Sequence, residues 1–299
     1  MTTEAALAIL APALCGDAGD RPLDGMVALV SGGGRGVGRL LGARLAGAGA
    51  AVGLIARSAD ELAAAAGEIN RAGGTAAAAV ADVADHRATA AAVTELRHQL
   101  GTADILINNA GISGPVAPLW QAQTAEWWRA IEVNLGGAFV LTQLALEHMI
   151  SAGKGRIINV TSYAGVYRWP LLSAYAASKA ALVKLTETLA EETRPHGVSV
   201  FSVDPGLLPI GLGEAALKAS AGRKTPEGRV QRWIRDQLAA GRGADPEEVV
   251  RLIIALASGR ADRLSGRHLS VTDSLDALLP RIDEIERDDL HTLRLRTGH

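Results

Sequence analysis

MVALVSGGGRGVG, residues 26–38, decides the fold. Its first five residues are apolar without polar alternation, the pattern of a parallel strand covered on both faces. A glycine-rich segment follows directly and opens a helix running to about Gly49. There Gly32, Gly34, Gly36 and Gly38, with Arg35 and Val37 among them, can bring backbone N–H groups close to a pyrophosphate at the positive end of the helix. Elsewhere such a run is only a tight turn, but between strand and helix it reads as a dinucleotide loop.

The strand–helix rhythm continues outward from this unit. Further strands are predicted at 51–56, 75–81, 103–109, 156–162, 198–203 and 267–271. Between them fall a helix with the capping box Ser58-x-x-Glu61 and one over about Asp85–Leu100, ended by Gly101 as a left-handed cap. An unbroken helix from about Thr124 to Ile150, one bearing Tyr175, and one begun by PEEVV at 246–250 complete the set. Seven strands with interleaved helices imply an α/β fold, a doubly wound parallel sheet of Rossmann-like type. One domain over 22–274 is expected, after an N-terminal arm (1–21) and before a helical extension (275–299).

Composition narrows the class. The 299 residues are 48% hydrophobic and carry a net charge of −2, so no electrostatic footprint for nucleic acid or an anionic membrane surface is expected. A lone cysteine, Cys15, fits a reducing compartment, and the apolar opening carries Glu4 and no basic residue, unlike a secretory signal. No apolar run reaches the ~18 residues of a membrane span. The expected location is the cytoplasm.

Chemistry concentrates in SYAGVYRWPLLSAYAASK, residues 162–179. Tyr175 and Lys179 lie four residues apart among good helix formers, hence on one helical face. An ammonium beside a phenol favours the phenolate and lowers its pKa from ~10, which makes Tyr175 a candidate general acid/base. Ser162 ends an apolar strand at the sheet's carboxyl edge, where a hydroxyl can hold a substrate oxygen. Taken alone, the Tyr/Lys spacing also describes an ordinary helix pair with a snorkelling lysine.

Together these segments resemble the short-chain dehydrogenase/reductase family over roughly residues 22–273. The family's T-G-x-x-x-G-x-G appears as Ser31-Gly32…Gly36-Val37-Gly38, its N-N-A-G as Asn108-Asn109-Ala110-Gly111, and its helix-borne asparagine as Asn134. Its serine is Ser162, its Y-x-x-x-K is Tyr175 and Lys179, and its P-G is Pro205-Gly206. The resemblance implies that Ser162 polarises the substrate oxygen and Tyr175 exchanges its proton. Lys179 would lower the phenol's pKa and bind the nicotinamide ribose, and Asn134 would hold a water leading to solvent. It further implies adenosine contacts from Asp82, Val83 and the Asn109–Gly111 backbone, with Pro205 and Gly206 beside the nicotinamide. Asn134 also reads as a bridge between backbone groups, and Asp82 as a helix N-cap.

Cofactor choice rests on the second strand's end, Ile55-Ala56-Arg57-Ser58, where an NAD-preferring site would carry a carboxylate. Arg57 and Arg35 can instead pair with a 2′-phosphate, which points to NADP(H) over NAD(H); solvated surface arginines are the alternative. The expected activity is a ketoreductase or alcohol dehydrogenase on a small carbonyl or alcohol. A cofactor-sensing binding protein and a non-redox elimination or epimerisation enzyme are the rivals. Departures occur at Leu207–Ile210, where the family usually offers a threonine, at Phe201, and at Asp273-Ser274. Residues 207–244 should form a lid, and the apolar stripe Leu275, Leu278, Leu279, Ile282 and Ile285 packs either on its own domain or across a homodimer or homotetramer contact.

Overall fold

β1 (Val27–Ser31), β2 (Ala51–Ala56), β3 (Thr75–Val80), β4 (Ile105–Asn108), β5 (Gly155–Val160), β6 (Val198–Asp204) and β7 (His268–Ser270) form one parallel sheet in the order β3-β2-β1-β4-β5-β6-β7. The computed structural model describes residues 21–218 and 224–295. The expected N-terminal arm lies outside the described residues except for Arg21, as do 219–223 of the lid and 296–299 of the tail. Because the chain runs outward from β1 to β3 and then returns to place β4 on β1's other side, the order reverses between β1 and β4. A crevice opens at the carboxyl ends of the strands there, the usual ligand position in such sheets.

Strand side chains alternate between two cores, as the pleat requires. One face carries Val30, Leu54, Ile107, Ile158 and Phe201 against α1 (Gly36–Gly47), α2 (Ala59–Arg71) and α9 (Pro246–Ala257). The other carries Leu29, Ile55, Leu106, Ile157 and Val200 beneath α3 (His86–Leu100), α5 (Gly137–Ala152) and α6 (Ser173–Thr193). Among the described residues no helix is long and apolar enough to cross a membrane. Ser58 caps α2, accepting from Glu61 N at 3.3 Å, and Asp85 caps α3, accepting from Ala88 N at 3.0 Å.

Three local expectations are corrected. Gly101 does end α3, but at φ +96°, ψ −174°, an extended mirror region open to glycine rather than the left-handed cap. The helix expected to run unbroken to Ile150 is split: α4 (Thr124–Ile131) passes through a π turn at Glu132–Gly136, closed by Gly137 N–H on the Glu132 carbonyl, before α5 begins. Hydropathy period cannot register that extra residue, because apolar spacing continues across it.

In the third, the tail's subunit-contact reading gives way to its other one, packing on its own domain. Of the predicted stripe, Leu278, Ile282 and Ile285 are at most 6% exposed and pack into the same core as Val249, Val250 and Ile253. The stripe on α10 (Leu275–Leu278) and α11 (Ile282–Arg287) is thus covered by its own domain and is not free for a second copy. Beyond it, His268 N–H donates to the His291 carbonyl at 2.8 Å, so the tail covers the outer edge of β7, which would otherwise be open to pairing. Glu187 of α6 anchors its end, accepting from Leu293 N at 2.5 Å and Arg294 Nη1 at 2.6 Å. Ile285→Ala should therefore cost about 2–5 kcal/mol in urea denaturation. A loss below about 0.5 kcal/mol, typical of a surface position, would contradict this packing.

Candidate active site

The glycine loop is held in shape by its neighbours. A Cβ on Gly38 would stand 2.2 Å from the Gly32 carbonyl oxygen, and one on Gly32 would stand 2.9 Å from Asn109 Nδ2. Ser31 Oγ accepts from the Asn109 and Ala110 N–H groups, each at 3.0 Å, and Asn109 Nδ2 donates to the Ser31 carbonyl at 2.9 Å. The loop after β4 is thereby stitched to the loop after β1. This is the part played by Ser31, where the family pattern has threonine.

Above the loop opens a cavity of about 1310 Å³. Its walls include Gly32, Gly34, Arg35, Val37 and Gly38; Arg57, Ser58, Asp82 and Val83; Asn109, Ala110 and Gly111; Ser162, Tyr175 and Lys179; and Pro205 and Gly206. Gly36 sits at the rim with φ +54°, and a Cβ there would meet Gly211 Cα of the lid at 2.7 Å. The space exceeds the ~300–1,000 Å³ of a single small-ligand pocket, so a dinucleotide and a substrate fit together. A side-chain-free cradle at a helix N-terminus suits a pyrophosphate. Arg35 and Arg57 are exposed on the cavity wall and have no ion-pair partner among the described residues. The carboxylate of Asp82, by contrast, pairs with Arg129 and accepts from Ala84 N at 3.1 Å. Asp85 is the N-cap of α3, so the capping alternative for Asp82 does not hold.

Asn134 projects from the π turn and is 1% exposed. Its Oδ1 accepts from Ile112 N–H at 2.8 Å, and its Nδ2 donates to the Ile112 carbonyl at 2.9 Å and to Ser178 Oγ at 2.9 Å. The amide clamps the loop after β4 to α6, rather than bridging groups of its own helix. Gly111 lies between this amide and Lys179: a Cβ there would be 3.3 Å from Asn134 Oδ1 and 3.7 Å from Lys179 Nζ.

Lys179 is 4% exposed, and its Nζ donates to the Val160 carbonyl at 2.7 Å. Burial lowers its pKa to about 8. Tyr175, one turn earlier on α6, shares the cavity wall with Ser162, and its ring centroid is 5.7 Å from Lys179 Nζ. The expected lowering of the phenol is not found. Burial pushes it up, and the buried Asp204 carboxylate adds to the rise, against the opposing hydrogen bond from Ser162. The cause is desolvation, which the spacing of two residues on a helix does not report.

Several residues that the sequence did not single out also line the cavity. Asp204, at the end of β6, accepts from Gly206 N at 3.0 Å, and burial raises its pKa. His268 Nδ1 lies 2.6 Å from Ser202 Oγ, and burial lowers its pKa. Trp169, Trp233, Asp273 and His291 complete this half of the wall. Asp204 was readable as a charge ending an apolar strand beside Pro205-Gly206, and Trp233 falls within the 207–244 segment expected over the pocket; His291 reaches the wall only through tertiary packing.

A doubly wound sheet with a dinucleotide cradle at its switch point and a Ser–Tyr–Lys cluster beside it defines a nucleotide-binding oxidoreductase. The family model for short chain dehydrogenase matches residues 26–217, and the chain belongs to that family. It is 35% identical over 258 residues to cis-4-hydroxycyclohexanecarboxylate dehydrogenase of Sinomonas cyclohexanicum, covering 84% of this chain and 97% of that one. It is 34% identical over 234 residues to 2-dehydro-3-deoxy-L-rhamnonate dehydrogenase (NAD(+)) of Sphingomonas sp. strain SKA58, covering 78% of this chain and 88% of the relative. A solved structure of a variant actinorhodin polyketide ketoreductase with NADPH superposes with a TM-score of 0.75 at 28% identity, over 82% of this chain and 95% of the other.

Lys179 gives the site a pH signature in stability. With a folded pKa of about 8, below its unfolded value, the native state sheds a proton that the unfolded chain keeps up to ~10.4. Lys179 therefore contributes a stability that rises with pH between about 8 and 10 and is flat below. Urea midpoints at pH 8 and pH 10 should show wild type gaining about 1–2.5 kcal/mol over Lys179→Met across that window. Parallel pH dependence in the two proteins would mean the ammonium is not desolvated.

Proposed function

We propose that the protein is an NADP(H)-dependent oxidoreductase that interconverts a carbonyl and a secondary alcohol. One observation carries the reading: the Ser162 and Tyr175 hydroxyls stand together in the wall of the cavity, with the Lys179 ammonium on the same helical face as Tyr175. A substrate oxygen within reach of both hydroxyls would accept two hydrogen bonds as negative charge develops on it. Ser162 holds the oxygen and Tyr175 transfers the proton. The bound nicotinamide would supply or accept the hydride.

The raised phenol pKa suits the direction of reduction, because Tyr175 keeps its proton at neutral pH and is ready to donate it. In the oxidative direction the phenol must first lose that proton, so alcohol oxidation should rise toward alkaline pH while ketone reduction holds at neutral pH. Lys179 fixes the far side of the site through Val160 and would reach a ribose hydroxyl. Asn134 acts as a positioning residue, keeping Ile112 and Ser178, and with them the Gly111 loop and α6, in register. The unpaired Arg35 and Arg57 favour NADP(H), since forked charge-assisted hydrogen bonds to a 2′-phosphate are stronger than neutral ones to a hydroxyl.

The test is cofactor absorbance at 340 nm during reduction of a ketone panel. Tyr175→Phe should lower turnover by ~10²–10⁴-fold while leaving NADPH affinity unchanged, because only the proton donor is removed. Turnover retained within about tenfold would remove Tyr175 from the chemistry. Arg57→Asp should erase or reverse the preference for NADPH, and equal affinity of the wild type for NADH and NADPH would overturn the assignment.

A further inference from the structure

We infer that the alcohol or ketone taken by this site has an apolar ring body, alicyclic or aryl, rather than a polyhydroxylated chain. The inference rests on the carbonyl/alcohol reading above and deepens it. Two tryptophans from different segments meet in the cavity wall: Trp169, on the loop that follows Ser162, and Trp233, on lid helix α8 (Pro226–Ala239). Their centroids are 4.6 Å apart and their planes are near perpendicular, at 88°. Trp233 remains 40% exposed, so an apolar ligand has indole surface left to cover. Leu172, Leu208 and Ile234 continue the same wall.

Most of the polar side chains around the tryptophans point the same way, because their hydrogen bonds are already committed to the protein; the Glu227 carboxylate and the Tyr163 hydroxyl are the exceptions in this wall. Asp204 holds the Gly206 N–H, and His268 is engaged with Ser202. Asp273 accepts from Ser270 N at 2.8 Å, Thr272 Oγ1 donates to Ser270 Oγ at 3.0 Å, and Thr292 Oγ1 donates to the Asp289 carbonyl at 2.5 Å. Ser113 Oγ donates to the Gly114 carbonyl at 3.2 Å, and the buried Gln231 is not free either. A chain of substrate hydroxyls would have to give up water and would find few uncommitted partners here. A ring gains from the same wall, since each buried methylene is worth about fourfold in affinity.

The experiment uses the full chain with NADPH and compares 2-decalone with the open-chain polyhydroxy ketone L-erythrulose. Decalone should have a kcat/KM at least about 100-fold higher, from several methylenes at about fourfold each. Trp233→Ala should lower the decalone value about tenfold, mainly through KM, with the NADPH Kd unchanged and erythrulose little affected. Trp169→Ala, on a different element, should act in the same direction. Comparable or better turnover of erythrulose, or no effect of either tryptophan substitution on decalone, overturns the inference while leaving the carbonyl/alcohol reading intact. If neither ketone is reduced, calorimetric titration of 2-decalol into the protein with NADP⁺ decides the question. Saturable binding weakened by Trp233→Ala upholds the ring chamber and discards the redox reading, and absence of binding overturns the inference.

Discussion

A buried ammonium has to be held by the backbone around it, and much of this site is arranged about that requirement. Lys179 is nearly inaccessible and donates to the carbonyl of Val160, the last residue of β5. A charge withdrawn from water in this way costs stability unless it is hydrogen-bonded, and even then it sheds its proton more readily. The contact sets the height of α6 on the sheet, and through α6 it sets the position of Tyr175 beside Ser162. Asn134 holds the same helix through the neighbouring Ser178, while its other hydrogen bonds hold the loop that carries Gly111. The Ser162–Tyr175–Lys179 cluster and the Gly111 loop therefore share one frame.

The cradle is governed by close approach. Gly38 passes so near the Gly32 carbonyl, and Gly32 so near Asn109, that no side chain fits at either crossing. Ser31 and Asn109 turn that proximity into hydrogen bonds between the β1 and β4 loops. Those two strands are the pair between which the sheet order reverses, so the crevice is stabilised by the contacts that create it.

The parallel strands were legible because both of their faces are buried, which leaves uninterrupted apolar runs. The glycine loop and the Ser162–Tyr175–Lys179 order were legible because their chemistry needs fixed spacings along the chain. What stayed hidden is tertiary. The π turn under Asn134 preserves apolar spacing and leaves no mark in hydropathy, and the upward shift of the Tyr175 phenol comes from burial that residue spacing does not encode. The tail's apolar stripe was visible, but a stripe does not say whether its own core or a second copy covers it; here Val249, Val250 and Ile253 share that core. Trp169 and Trp233 lie far apart in sequence and become one wall only through the packing of α8 against the loop after β5.

The central claim is that this frame carries out hydride chemistry at a carbonyl carbon. The most direct measurement is mass spectrometry of the alcohol formed from a ketone in the presence of NADPH deuterated at both C4 positions of the nicotinamide. One deuterium on the carbinol carbon, with the hydroxyl proton drawn from water, is the expected result. An alcohol formed without that label, or a product changed with no oxidation of the cofactor, would contradict it.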